Sequence, residues 1–292
     1  MAEHIINHPD PQTADIVLLA APYDGTSSFI KGADQGPKAL QYCFDTQMEI
    51  YEHITGTLPA EQYKIAYDDS LALDGLAPEA MVDKVYRKYT EYYSQGKFII
   101  LVGGEHSVSL GAFKCLAGAP EEITVIQIDA HADLRNDDSD YVDDSPSPFA
   151  HSCVMRRVIE DFKLKTVQIG TRIFSREEHE YIRSRNLTVF PWGSSIPAVE
   201  TIIKSIDTEK IYISLDIDGV DPAHLPATGT PVPGGLEWYY AINLLQELFK
   251  NKTVVSTDLV ELAPQPHDHR TEFGAAQLCY LMLGCRLKYK SK

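Results

Sequence analysis

Short apolar runs punctuate this chain at regular intervals, and the segments between them read as helices. The runs are DIVLLAAP, FIILVGG, ITVIQID, TVQIG, LTVFPW, IYISLDID and TVVSTDLVEL. Most are apolar without a break rather than at every second residue, which marks strands covered on both faces. Helices are expected over 78–94, 107–116, 152–162, 176–185, 196–206, 236–251 and 271–285. In 236–251, Tyr240, Ala241, Leu244, Leu245 and Leu248 share one face. Such alternation predicts the α/β class, with a parallel sheet and helices on both sides. No break in composition and no repeat divides the 292 residues. They are read as a single domain, 1–292, whose first ~12 residues form a flexible tail. Two segments, 135–150 and 219–235, are too rich in Pro, Gly and short polar residues for regular structure. Both leave the carboxyl ends of strands, where open parallel sheets bind ligands.

Asp plus Glu number 42 against 26 Lys plus Arg, a net charge of −16. Without basic clusters there is little to grip phosphate, so nucleic acid is not expected as a partner. An acidic chain suits a metal ion or a cationic substrate, though acid also serves solubility alone. The five cysteines, Cys43, Cys115, Cys153, Cys279 and Cys285, are odd in number and form no CxxC pair. That usage suggests a reducing, cytoplasmic setting without disulfides. The apolar run 16–22 is too short for a signal segment or a membrane span, and no basic residues precede it.

Three strand ends carry ionisable residues. ITVIQID runs into Asp129-Ala-His-Ala-Asp133. In extended chain, residues two apart point the same way, so Asp129, His131 and Asp133 converge. Carboxylates clustered where a buried strand stops are costly unless a cation lies among them. Asp216 and Asp218 repeat the arrangement in YISLDIDGVDP, and ILVGGEHS delivers His106 through two glycines. Two histidines and four carboxylates are many for one ion and suit two, with charges that balance. Oxygen-rich donors without thiolate favour Mn²⁺ over structural Zn²⁺. Water between two such ions becomes hydroxide at neutral pH and serves as a nucleophile. Glu105 is adjacent to His106 and is expected to support the site rather than ligate. His267 and His269 sit in a Pro-flanked polar loop and read as solvated, His4 and His8 belong to the expected tail, and Cys153 is read as helix packing.

PYDGTSSFIKGADQGPKAL, GGEHS, DAHADLR, HSCVMRR, SLDIDGVDP, ATGTPVPGGL and DLVELAPQPHD, in this order from about residue 21 to 269, resemble the ureohydrolase superfamily of arginases and agmatinases. The resemblance implies a three-layer α/β/α fold around a mostly parallel sheet of about eight strands. It also implies a homo-oligomer (trimer or hexamer), two Mn²⁺ per subunit, and hydrolysis of a guanidino group to urea and an amine. Carried over by motif, His106, Asp129, His131, Asp133, Asp216 and Asp218 are the metal ligands, and Asp133 also holds the hydroxide. His151 matches the proton-transferring histidine, and Glu261 the acid that grips the guanidinium. Both roles make chemical sense, since a carboxylate pairs bidentately with a planar guanidinium and imidazole protonates a leaving amine near neutrality. Read locally, His151 fits the start of a helix and Glu261 a solvated strand end.

The loop after DAHAD carries Asp137, Asp138, Asp140, Asp143 and Asp144 and lacks the His-Gly pair expected of arginases. Such a loop repels a carboxylate and welcomes an amine, or is simply a solvated turn. Agmatine, giving putrescine and urea, is therefore the expected substrate. Arginine, guanidinobutyrate and guanidine are the alternatives, and a catalytically silent metal-binding scaffold is the contrasting class. Segment 136–150 is longer than in most agmatinase-like sequences and stiffened by Pro146 and Pro148, which leaves the tail end of the substrate open.

Overall fold

The structure, a computed structural model, describes residues 4–142 and 144–289. Eight strands form one sheet. They are β1 (Ile16–Ala21), β2 (Ile65–Asp68), β3 (Phe98–Gly103), β4 (Ile123–Ile128), β5 (Lys165–Ile169), β6 (Thr188–Phe190), β7 (Lys210–Asp216) and β8 (Thr253–Val260). Their order is β2-β1-β3-β8-β7-β4-β5-β6, and every pairing is parallel.

Period-two alternation sends each central strand into two cores. Ile16 and Leu18 of β1 face one core, Val17 and Leu19 the other, and Phe98/Ile100 against Ile99/Leu101 of β3 repeat the split. Helices α1 (Gly36–Thr46), α7 (Val199–Lys204), α8 (Trp238–Asn251) and α9 (Arg270–Lys288) supply the first core. Helices α3 (Pro78–Tyr93), α4 (Ser109–Leu116) and α5 (Val154–Glu160) supply the second, with Tyr181 of α6 (Arg176–Arg185). Unbroken apolar runs therefore do mark strands with helices on both faces.

Several elements depart from expectation. The edge strand β2 escapes detection because its four residues, IAYD, hold no long apolar run. Helix α1 lies inside a segment that also carries family motifs, and the one-turn α2 (Pro59–Gln62) is too short for periodicity. The helix expected over 196–206 is confined to Val199–Lys204, and that over 271–285 extends to Arg270–Lys288. Residues 5–8 of the expected flexible N-terminal tail are instead docked. Ile5 is fully buried in the first core. Asn7 Nδ2 donates to the Ala60 and Tyr63 carbonyls at 2.6 and 2.9 Å, and its Oδ1 accepts from the Ile65 amide at 2.9 Å. One side chain thus ties this segment to the start of β2 and the turn before it, an arrangement with no periodic signature.

All five cysteines are unpaired, and four are buried. Among the described residues, no helix is long and apolar enough to cross a membrane.

Candidate metal centre and active site

The four central strands β3, β8, β7 and β4 are neighbours, and each delivers site residues just past or at its carboxyl end. His106 follows β3, Glu261 follows β8, Asp216 ends β7 with Asp218 just beyond, and Asp129, His131 and Asp133 follow β4. The sheet's carboxyl edge therefore gathers residues up to 155 positions apart, as between His106 and Glu261.

The six proposed ligands come together. His106 Nδ1 lies 3.0 Å from Asp133 Oδ2, 3.1 Å from Asp129 Oδ2 and 3.4 Å from Asp216 Oδ2. His131 Nδ1 lies 3.0 Å from Asp218 Oδ2 and 3.5 Å from Asp129 Oδ1. Two donor groups result, His106–Asp129–Asp216 and Asp129–His131–Asp218, each with ligand atoms within 4.8 Å of one another. Asp129 belongs to both and turns one oxygen toward each imidazole. Each group has the donor types and spacing that could hold a cation, and Asp129 is common to both.

The carboxylates perturb one another as a crowded anionic site should. Burial, then the neighbouring Asp129, raises Asp133 to about 7. Burial and Asp218 raise Asp216. Burial also acts against ionisation of Asp129, but hydrogen bonds from His106 and His131 outweigh it and hold that acid well below its usual range. His131 is pushed up to about 12, because Asp218 and Asp129 outweigh its burial. Carboxylates crowded in this way are surroundings that divalent charge would satisfy.

Two site residues adopt backbone that only glycine takes freely. Asp133 has φ 51° and Glu261 φ 65°. Such strain persists where surrounding bonds over-determine it, and it clusters at functional sites. For Glu261 those bonds are two: its amide donates to the Gly104 carbonyl, and its Oε1 accepts from the His106 amide, both at 2.8 Å. Burial and the charge of Glu105 raise its carboxyl. A buried acid in that state lacks a counter-cation. Glu105 itself accepts from Thr26 and Ser107 side chains and amides, a supporting part in keeping with expectation.

A cavity of about 240 Å³ opens on this centre. His131, Asp133 and His151 line it, with Ser28, Thr230, Arg135, Tyr141, Ile173, Phe174 and Glu178. His151 Nδ1 lies 3.3 Å from Thr26 Oγ1, and its Nε2 3.2 Å from Ser28 Oγ. Burial, opposed by Glu105 and aided by His131 and His106, holds the imidazole below its ordinary range. Glu261 is buried and is not part of the cavity wall. Thr26, Ser28 and Thr230, whose hydroxyl donates to Asp218 Oδ2 at 3.1 Å, had no role in the sequence reading. Their signal was positional, since each lies in a loop leaving a strand's carboxyl end.

The acidic loop does not form the expected rim. None of its described aspartates lines the cavity. Asp137 accepts from the Ser139 amide, Asp138 is buried and accepts from the Ser147 amide, and Asp140 pairs with Arg135. Asp144 is exposed, and Asp143 lies outside the described residues. Short aspartates bond readily to nearby backbone, and here that local use wins. The loop instead presents Tyr141, whose ring stacks on His151 with centroids 6.2 Å apart and lies under the Arg135 guanidinium. His267 and His269 stay in their loop, with the His269 side chain 83% exposed.

Fold and centre together define a class, parallel α/β proteins with an imidazole–carboxylate centre at the carboxyl edge of the sheet. The Arginase family profile matches residues 14–284. The N(1)-aminopropylagmatine ureohydrolase of Synechocystis sp. is 37% identical over 97% of this chain and 92% of its own. The agmatinase of Bacillus anthracis is 28% identical, over 96% and 94% of the two chains. The crystal structure of the agmatine ureohydrolase of Thermoplasma volcanium superposes with a TM-score of 0.83 at 29% identity, covering 99% of this chain and 96% of the other. The chain belongs to the arginase family and is a ureohydrolase of it, an enzyme that hydrolyses carbon–nitrogen bonds of linear amidines.

Proposed function

We propose that this enzyme binds two Mn²⁺ and releases urea from an agmatine-type amine, with N1-aminopropylagmatine rather than agmatine as the preferred substrate. The observation that carries the chemistry is the shared carboxylate of Asp129 between two donor groups on a cavity that also holds His151. His106, Asp129, Asp133 and Asp216 would hold one ion, and Asp129, His131 and Asp218 the other. The donor set of imidazole and carboxylate without thiolate fits Mn²⁺. When bound, two such ions make water acidic enough to yield hydroxide near neutrality.

The chain's own groups do the rest. Glu261 supplies the negative charge that a guanidinium needs and orients its plane. Asp133 accepts a proton from water that enters the site. His151, neutral at pH 7 because burial disfavours its cation, takes up that proton from Asp133 and passes it to the amine as the carbon–nitrogen bond breaks. Ser28 and Thr26 keep both ring nitrogens in hydrogen bonds.

The choice of the longer amine follows from the rim. A wall of Tyr141, Ile173 and Phe174 suits a polymethylene chain and an alkylammonium better than a carboxylate. The 37%-identical relative bears the matching name. The test is urea release by the Mn²⁺-loaded enzyme from N1-aminopropylagmatine, agmatine, arginine, guanidinobutyrate and guanidine. The highest kcat/KM is expected on N1-aminopropylagmatine. A preference for agmatine restores the shorter substrate, and activity on none returns the silent scaffold. Chelation should abolish turnover and Mn²⁺ restore it.

A further inference from the structure

A serine hydroxyl has one proton to give. Ser214 Oγ, fully buried, has three polar neighbours: the two carboxylate oxygens of Asp258 at 2.9 Å each, and His106 Nε2 at 3.0 Å. Asp258 sits on β8 directly across from Ser214 on β7, and its Oδ1 also accepts from the Leu215 amide at 3.1 Å. Burial raises the Asp258 carboxyl, opposed by His106, Ser109 and Ser214; as a carboxylate it only accepts, and the serine proton then goes to Asp258. Ser214 Oγ then has only acceptor capacity left for the imidazole, and His106 must carry its proton on Nε2. In neutral His106 the lone pair is therefore on Nδ1. That atom is buried and faces the carboxylates of Asp129, Asp133 and Asp216.

We propose that Asp258, acting through Ser214, sets the tautomer of His106 and aims its Nδ1 at the cation site. The inference rests on reading His106 as a metal ligand. Histidine ligands are commonly oriented by an acceptor on their other nitrogen. Here the carboxylate is one hydroxyl removed: the imidazole meets Ser214 on β7, and Asp258 on the adjoining β8 bonds to that serine. Geometry explains the economy. Ser214 and Asp216 are two apart on β7 and share a face. The same strand thus provides the acceptor for Nε2 and a carboxylate 3.4 Å from Nδ1. Asp258 is a positioning residue, and nothing in the proposed chemistry requires it to touch substrate.

Two substitutions separate this role from simple packing. In Asp258→Asn the remaining oxygen stays with the Leu215 amide, and the new amide group donates to Ser214 Oγ. The serine proton then turns to Nε2, the tautomer reverses, and Nδ1 loses its lone pair to a proton. Ser214→Ala removes the acceptor without imposing the reversal. Its effect should be the smaller.

The experiment is Mn²⁺ titration of the full-length metal-free protein, with free Mn²⁺ followed by electron paramagnetic resonance. Thermal unfolding in chelator is measured in parallel. Wild type should bind two ions. Asp258→Asn should weaken one site by about 10- to 100-fold, the range for groups that orient a metal ligand, and Ser214→Ala should weaken it less. Unchanged Mn²⁺ affinity in both variants overturns the proposal, as does lowered thermal stability with affinity intact. If Asp258→Asn does not fold, Ser214→Ala decides alone, and wild-type affinity there overturns it. A wild-type protein that binds no Mn²⁺ would refute the metal-centre reading itself, a separate result.

Discussion

Asp133 and Asp140 lie in one stretch of chain, yet they answer to different physics. Asp133 is 6% exposed, in left-handed backbone, with its carboxylate 3.0 Å from His106 and its pKa displaced by burial and Asp129. Asp140 has a side chain 64% exposed and one cationic partner, Arg135. The same contrast separates the ligand ring from the cavity rim. Each carboxylate proposed as a ligand is at most 6% exposed, whereas Tyr141 and Ile173 are 50% and 49% exposed. Buried groups with several partners can be held to catalytic tolerance. Exposed groups with one or two partners can shape a tail pocket and be replaced without cost to the fold.

That contrast predicts where substitution should cost rate and where it should only change substrate preference. Asp133→Asn keeps a residue that tolerates positive φ and removes a carboxylate from the ring. Turnover should fall by about 10³-fold, the scale of removing one preorganised group aimed at the reacting centre. Near-wild-type urea release would show that ring membership is not what gives Asp133 its role. Glu261→Gln should lower kcat/KM by about 10²-fold, as expected when one partner of a buried charge pair is neutralised. The steady-state comparison on one substrate suffices to see it. His151→Asn should lower kcat by about 10²-fold with Mn²⁺ binding intact, read by turnover beside metal content.

His151 also carries a sign that can be checked. Its folded pKa is lowered from 6.5 by burial, so below that pH the unfolded chain binds a proton that the folded chain resists. Its effect on stability is absent above the unfolded value and becomes a growing penalty as pH falls toward the folded one. Metal-free His151→Asn protein should therefore lose less Tm than wild type between about pH 7 and 5. Parallel curves for the two proteins would remove that assignment. The smallest effect belongs to the rim. Tyr141→Ala should raise KM about 3- to 10-fold for the longer amine, the worth of one aromatic contact, with kcat unchanged. Equal changes in kcat would place Tyr141 with the ring, through its stacking on His151.

The ring was legible in the sequence because its signals are local. Each ligand sits two residues from another or directly behind a strand and its glycines, and extended geometry makes those spacings converge. What no local pattern shows is register across the sheet. That register pairs Ser214 with Asp258 and sets β3, β8, β7 and β4 side by side, although β3 and β8 are separated by half the chain. The aspartates of 137–144 misled for a related reason. Their charge is visible in the letters, but whether a carboxylate faces a pocket or bonds to its own turn depends on loop shape. Ile5 and Asn7 were likewise invisible as anchors, since two useful residues in a polar segment make no periodicity.

Gly104 shows how far a small residue reaches. A methyl group there would lie 1.9 Å from the Tyr23 carbonyl oxygen, in backbone that cannot retreat cheaply. The chain from Tyr23 runs on to Thr26 and Ser28, the two hydroxyls on His151, and the Gly104 carbonyl receives the amide of Glu261. A change at this position would therefore disturb at once the hydroxyls that hold His151 and the bond that holds the Glu261 backbone, without altering either residue. In a family of variants it would present as lost activity with every chemically recognisable residue in place.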